Sequence, residues 1–282
     1  MKNNFPKTID INPTAKCNLK CEFCWGPNVS IGDELSLKQW IEIIDYFADR
    51  GTKSVILTGG EPLMYKHIVA LIDYLESKKL RITLSTNSIL LGLFKKDILP
   101  KIDDIGIPLD GSDSLRNSRM RFGELCHFNK VLESLNYLKN ENKNLSVTVR
   151  TVLSKRNLDD LSSIGKILEK NKSKFDRWKI YQFSPFGRGF ENKDKFFISN
   201  NNFLKLARDI KKLYPALSIE TSLWKDGIGR YLFINPQGDI YGVSDFSGKY
   251  NNCSNFFKLK KDALETEIKK IFFYKNNNKH GK

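Results

Sequence analysis

The 282-residue chain has no run of 18 or more apolar residues, so no helix that crosses a membrane is indicated. Its first ten residues carry charge with no apolar stretch behind them, and so do not form a secretory signal. Histidine is scarce: His67, His127 and His280 show no paired spacing and read as structural or exposed. Five cysteines, unevenly spread, do not make the disulfide framework of a small secreted domain. Internal repeats are also lacking. These absences point to a soluble, cytoplasmic protein without membrane attachment.

What is present is a 40% hydrophobic, 12% aromatic chain, enough for one large core or a domain with a short appendage. The net charge of +15 attracts anions. Because Lys and Asn are both abundant, much of that charge reads as solvated surface, which argues against nucleic acid as the partner. Short β-branched runs at 9–11, 54–57, 81–84, 105–107, 146–151 and 178–183 read as strands. Amphipathic stretches at 37–50, 67–79, 128–140 and 159–170 read as helices between them. Ser36 with Gln39 forms a capping-box signature, and Gly51 suits the position after the helix. This alternation predicts an α/β fold with a parallel sheet, six βα units between about residues 8 and 183, and functional groups just after the strands. After residue 183 the pattern changes to a helix at 201–214. A strand–turn–strand follows through Asn235-Pro236-Gln237-Gly238, a β-hairpin. The expected division is a barrel over 1–190 and a C-terminal extension over 191–282, with a basic tail.

Three cysteines fall within eight residues after the first strand, as Cys17-x-x-x-Cys21-x-x-Cys24. Soft thiolates at this spacing can grip one face of an iron–sulfur cluster from a single loop. A closed structural zinc site needs four ligands. No fourth Cys or His lies nearby, so zinc would have to recruit a distant ligand. Three ligands on a four-iron cluster leave one iron open. The next unit carries Thr58-Gly59-Gly60-Glu61-Pro62 after its strand, where glycines permit close backbone approach and Glu61 offers a carboxylate to a cation.

The triad and the Gly-Gly-Glu-Pro segment together resemble the radical S-adenosylmethionine (SAM) superfamily, over roughly residues 8 to 183. The resemblance implies a partial (β/α)6 barrel of the radical SAM type with a C-terminal helix and β-hairpin extension. It implies a [4Fe-4S] cluster on Cys17, Cys21 and Cys24 whose open iron chelates SAM. Reductive cleavage then yields methionine and a 5′-deoxyadenosyl radical, with an external one-electron reductant of flavodoxin or ferredoxin type. It places Gly59, Gly60, Glu61 and Pro62 at the SAM amino group and Phe23 beside the adenine. Ser85 and Asn87 go to the ribose, and Leu109-Asp110-Gly111-Ser112 matches the family's SLDG segment. Arg121 is a candidate for the SAM carboxylate, with Arg116 and Arg119 as rivals.

For the substrate, Arg177-Trp178-Lys179-Ile180-Tyr181-Gln182-Phe183 resembles the sixth strand of viperin-like enzymes, where Arg and Lys hold a nucleotide triphosphate. Period two puts Arg177, Lys179 and Tyr181 on one face. Arg150 shares the inner face of its strand with Thr148. Two inward cations are costly unless they meet an anion: substrate phosphate, the SAM carboxylate or a core Asp or Glu. Elsewhere the viperin pattern is departed from, at Leu125-Cys126-His127, Leu109-Asp110-Gly111 and Arg150, so the likeness marks kinship rather than a shared substrate. The leading expectation is a radical SAM enzyme acting on a small anionic molecule of nucleotide or sugar-phosphate type. The alternatives are an epimerase or other tailoring enzyme of a peptide or natural-product pathway, with Cys253 as hydrogen donor, and a zinc-stabilised basic nucleic-acid-binding module.

Overall fold

A computed structural model describes residues 5–26, 32–123, 126–229, 231–243 and 250–277. β1 (Thr8–Ile11) runs into the cysteine loop and then α1 (Leu37–Asp49), β2 (Ser54–Leu57), α2 (Ile68–Ser77) and β3 (Arg81–Ser85). Next come α3 (Leu91–Ile98), β4 (Asp104–Pro108), α4 (Ser114–Ser118), α5 (His127–Glu141) and β5 (Ser146–Leu153). α6 (Leu161–Lys170) and β6 (Arg177–Gln182) complete six parallel βα units. α7 (Arg188–Glu191), α8 (Lys193–Phe196) and α9 (Asn200–Leu213) lead to β7 (Ile219–Ser222). β8 (Leu232–Ile234), β9 (Asp239–Gly242), β10 (Asn251–Asn255) and α10 (Lys261–Asn277) end the fold.

Among the described residues ten strands share one sheet, in the order β10-β9-β8-β1-β2-β3-β4-β5-β6-β7. β7 extends the parallel run beyond β6, while β8 pairs in parallel with β1 and carries the antiparallel β9 and β10. The C-terminal segment therefore contributes strands at both ends of the parallel sheet. Period-two alternation sorts the side chains. Ile9, Ile11, Val55, Leu57, Ile82, Leu84, Ile105, Ile107, Val147, Val149, Trp178 and Ile180 are buried in one core with the helices. Their neighbours, Asp10, Thr83, Ser85, Gly106, Thr148, Arg150, Lys179 and Tyr181, line the inner face, which is polar. No helix among the described residues is long and apolar enough to cross a membrane.

The local signals behave as the chemistry requires. Ser36 and Gln39 form the capping box of α1, whose Trp40, Ile43, Ile44 and Phe47 are buried, and Gly51 follows at φ +93°. In the hairpin, Asn235 Oδ1 accepts from Gln237 N and Asp239 N, and Gly238 adopts φ +83°. Several elements go beyond the sequence expectation, α3, β7 and α10 among them. α3 contains Gly92 and buries only two residues. β7 carries one apolar residue in four and is held by its pairing with β6. The Lys/Asn/Phe tail forms α10, because Leu264 and Ile268 reach the main core.

Candidate active site

The cysteine loop rests on the glycines of the next unit. Gly60 N donates to Thr14 O at 2.9 Å and Glu61 N to Lys16 O at 2.7 Å. A Cβ on Gly59, which has φ +118°, would lie 2.6 Å from Thr14 O, and one on Gly60 would lie 2.2 Å from Lys16 O. Neither backbone contact leaves room for a side chain, so the glycines seat the loop as well as opening a path to a ligand. Lys20 N to Phe122 O at 2.7 Å and Gly189 N to Cys24 O at 2.9 Å fasten its far side.

Within this loop the three thiols interact electrostatically. Burial pushes the Cys21 thiol up to about 11, Arg121 opposes that rise, and Cys24 and Cys17 add to it. A bound metal reverses such a shift, because a coordinating thiol is deprotonated. Among the described residues no three His, Cys, Asp or Glu side chains converge as ligands of a single ion. Three soft thiolates offered from one loop are the donor chemistry of an iron–sulfur cluster. The donor set therefore fits the cluster.

Glu61 stands beside the loop, buried to 1% exposure. One oxygen accepts from Thr86 Oγ1 at 2.6 Å and Leu63 N at 3.3 Å, the other from Asn87 N at 2.7 Å. Burial pushes its carboxyl up to about 7 despite those bonds. With about four lone-pair sites on a carboxylate, one direction is left for a cation. Pro62 starts the short turn that Glu61 caps. Asn87 Nδ2 donates to Asn18 Oδ1 at 2.6 Å and lies 3.9 Å from Cys17 Sγ. Arg121 Nε donates to the fully buried Asp110 at 2.6 Å, and its guanidinium covers the Phe23 ring at 4.9 Å. Burial works against the charge of Arg121, but Asp110 and the Cys21 thiol outweigh it and raise the pKa. Asp110 also accepts from Val152 N at 2.7 Å. Phe23 packs against Phe196 at 6.0 Å.

Other sequence-derived candidates are placed differently. Ser85 accepts from Arg150 Nη1 at 2.6 Å. Ser112 gives both its N–H and its hydroxyl to Asp160, each at 2.6 Å. Arg177 is not brought to the cysteines. It begins β6, at the strand end opposite the loops, bonds to Thr148 and Ser146, and pairs with Asp104 at 3.6 Å and Glu220 at 3.7 Å. The physical reason is register: two steps of pleat separate it from Tyr181, and acidic partners wait at its own level. Lys179 faces the inner side, 4.0 Å from Glu220 and 5.1 Å from the Tyr181 ring centroid. Arg116 pairs with Asp113 at 2.6 Å. Cys253 lies in β10, and its side chain falls outside the described residues.

Several groups at the site were not singled out in the sequence. Thr58 Oγ1 sits between Asp10 Oδ1 and Asn12 Oδ1, and Asn12 Nδ2 donates to Tyr241 Oη at 2.8 Å. Burial pushes the Asp10 carboxyl up to about 7, against the pull of Thr58 and Arg150. Next to them an aromatic wall joins the hairpin to the cysteine loop. Trp25 and Phe233 centroids are 5.0 Å apart, Phe233 and Tyr241 stack at 5.3 Å, and Tyr241 meets Tyr250 edge-on at 5.3 Å. The available signal was period two in β1: an Asp flanked by Ile9 and Ile11 must face inward.

The family model "Radical SAM superfamily" matches residues 11–167. The chain is 26% identical to the S-adenosylmethionine-dependent nucleotide dehydratase of Lacinutrix mariniflava, over 92% of this chain and 55% of that protein. It is 29% identical to the GTP 3′,8-cyclase of Thermodesulfovibrio yellowstonii, over 96% of this chain and 88% of that one. It spans 44% to 69% of the length of three curated relatives that it matches. The crystal structure of Streptococcus suis SuiB bound to precursor peptide SuiA superposes with a TM-score of 0.77 at 20% identity, covering 98% of this chain and 67% of that one, a likeness of fold. With the family model covering more than half of the chain, the chain belongs to the radical SAM superfamily, whose [4Fe-4S] cluster and S-adenosylmethionine are its cofactors.

Proposed function

We propose that this radical SAM enzyme takes hydrogen from a small anionic substrate of nucleotide or sugar-phosphate type. The observation that carries the reading is a pair of inward cations in direct register: Arg150 on β5 opposite Lys179 on β6. Lys179 has Glu220 beside it in the same row, so the charge left for an anion to meet is that of Arg150. Two relatives named for nucleotide chemistry, the dehydratase and the GTP cyclase, support the class. The aromatic wall of Trp25, Phe233 and Tyr241 suits a flat ring such as a base, which favours a nucleotide within that class.

When bound, the cluster and SAM supply reductive cleavage to a 5′-deoxyadenosyl radical, with the electron from an external one-electron donor. The chain's own residues hold and orient. Cys17, Cys21 and Cys24 carry the cluster, and Glu61 accepts the SAM ammonium on its remaining lone pair. Arg121, anchored by Asp110 and resting over the Phe23 ring, would offer its remaining donors to the SAM carboxylate. Asn87, tied to Asn18 and Glu61, is positioned for the ribose. Lys179 and Tyr181 face the substrate.

The test is anaerobic reconstitution with iron and sulfide, addition of SAM and dithionite, and assay of 5′-deoxyadenosine with and without nucleoside triphosphates and sugar phosphates. At least one phosphorylated compound is expected to change the rate of cleavage and to be consumed. If cleavage proceeds and no phosphorylated compound affects it, the anionic substrate class is wrong while the cofactor chemistry stands.

A further inference from the structure

Arg150 reaches its position because β4 has a glycine, Gly106, two residues before Pro108, its own register partner. A Cβ on Gly106 would lie 2.0 Å from Arg150 Cζ and 2.2 Å from Nε. The guanidinium is thus laid flat across the β4 backbone, and Nη1 reaches β3, where it donates to Ser85 Oγ at 2.6 Å. Its Nε is buried and has no hydrogen-bond partner among the described residues. The other inner cations differ. Arg177 contacts Asp104 and Glu220, and Lys179 contacts Glu220. Arg150 has no carboxylate at ion-pair distance among the described residues. Its charge is felt by Asp10, on β1. A half-buried guanidinium with unspent donors costs free energy unless an anion meets it, and its planar fork suits phosphate or carboxylate.

We propose that Arg150, folded over Gly106, is the seat of one anionic group of the substrate, and that this anion displaces Asp10 as the counter-charge. This deepens the proposed function and rests on it. The groups that face Asp10 are Thr58 from β2, Arg150 from β5, Tyr241 from β9 and Tyr250. Thr58 has a single hydroxyl proton and two acceptors, Asp10 Oδ1 and Asn12 Oδ1. Both contacts are satisfied at once when Asp10 carries a proton and donates to Thr58, which then donates to Asn12. An anion on Arg150 repels ionised Asp10 and removes its only cationic support, so seating the anion takes up a proton at Asp10. Binding therefore weakens as pH rises through the range where Asp10 ionises.

The experiment uses sulfate, whose charge does not change near neutrality, titrated calorimetrically into cluster-loaded protein with and without SAM. Acetate serves as the carboxylate probe. Saturable sulfate binding is expected, about tenfold or more weaker in Arg150→Met. From about pH 6 to about pH 8 the wild-type affinity should fall by up to about tenfold, and Asp10→Asn should bind at the higher pH as the wild type does at the lower. SAM should leave sulfate binding intact. If neither probe binds the wild type, or if Arg150→Met binds as well as the wild type, the seat does not exist. Sulfate binding abolished by SAM would assign the seat to the SAM carboxylate and overturn the substrate assignment. A pH slope that persists in Asp10→Asn would remove Asp10 from the proposal. Gly106→Ala supplies a control on fold: its melting temperature should drop in the wild-type background and much less in Arg150→Ala, where the clash partner is gone. Equal drops would mean that Gly106 does not serve Arg150. Because sulfate binding is read without turnover, its outcome is separate from any failure of nucleotides to affect SAM cleavage. 5′-Deoxyadenosine formation by Arg150→Met shows whether the cofactor machinery is intact.

Discussion

On the β2–β4 side of the barrel mouth the two buried carboxylates, Glu61 and Asp110, have their partners in place. Glu61 accepts from Thr86, Leu63 and Asn87, Asp110 holds Arg121 and Val152 N, and the Gly59-Gly60-Glu61 backbone grips the cysteine loop. Across the lumen, β5 and β6 present Arg150 and Lys179 in register, with a buried guanidinium nitrogen lacking a partner. The first side is preorganised, which is what a cluster and a cofactor need if they are to be held within a few tenths of an ångström. The second side leaves charge to be met.

The largest expected effect breaks the preorganised side outright. Replacing Cys17, Cys21 and Cys24 with Ala should abolish cluster loading, read by iron content and visible absorbance, and lower 5′-deoxyadenosine formation by at least about 100-fold. Glu61→Gln comes next. The amide keeps the volume but loses the charge that meets an ammonium, and its NH2 faces donors from Thr86, Asn87 or Leu63. The Michaelis constant for SAM should rise about 10- to 100-fold with the cluster intact. Unchanged SAM kinetics in this variant would remove Glu61 from the cofactor site.

The preorganised side was also the legible one. The triad, Gly59 to Pro62 and the capping box at Ser36 are contiguous, and their spacing carries their chemistry. The hairpin around Asn235 and Gly238 was legible for the same reason, since turn residues act locally. The inner face of β5 and β6 was half legible. Period two identified Arg150, Lys179 and Tyr181 as inward, but it does not report height along the barrel. Arg177 thus looked equivalent to Lys179, although its ion pairs with Asp104 and Glu220 place it at the far strand end. Gly106 carried no signal, because a glycine in a strand announces close approach only when the approaching side chain, here Arg150, is known.

The Arg177–Lys179 pair provides the sharper test of that lesson. Lys179→Met should raise the Michaelis constant for the anionic substrate about tenfold while SAM cleavage without substrate continues. Arg177→Met should leave both unchanged. Its half-exposed ion pairs are screened, so stability should fall by only about 0.5–1 kcal/mol, measured by denaturant unfolding. A substrate defect in Arg177→Met equal to that of Lys179→Met would return Arg177 to the substrate site.

A last effect separates the two sides by pH. Burial raises Asp10 and Glu61 each to about 7, above ordinary values of 3.8 and 4.5. The folded state therefore keeps protons that the unfolded chain releases. The stability that these neutral carboxyls contribute is fully present below about pH 4 and is lost as pH rises to about 7, a change of at most about 4 kcal/mol for Asp10 and about 3 kcal/mol for Glu61. Cluster-loaded protein should melt at progressively lower temperature from about pH 5 to about pH 8, and Asp10→Asn or Glu61→Gln should each flatten part of that slope. SAM distinguishes them. Its ammonium beside Glu61 favours the ionised carboxylate, so SAM should erase the Glu61 share of the slope. Asp10, on the substrate side, should keep its share until an anion arrives, and the anion acts in the opposite sense by favouring the protonated form. If SAM removed the whole slope, the two carboxyls would belong to one site, and the division between a prearranged cofactor side and an open substrate side would fail.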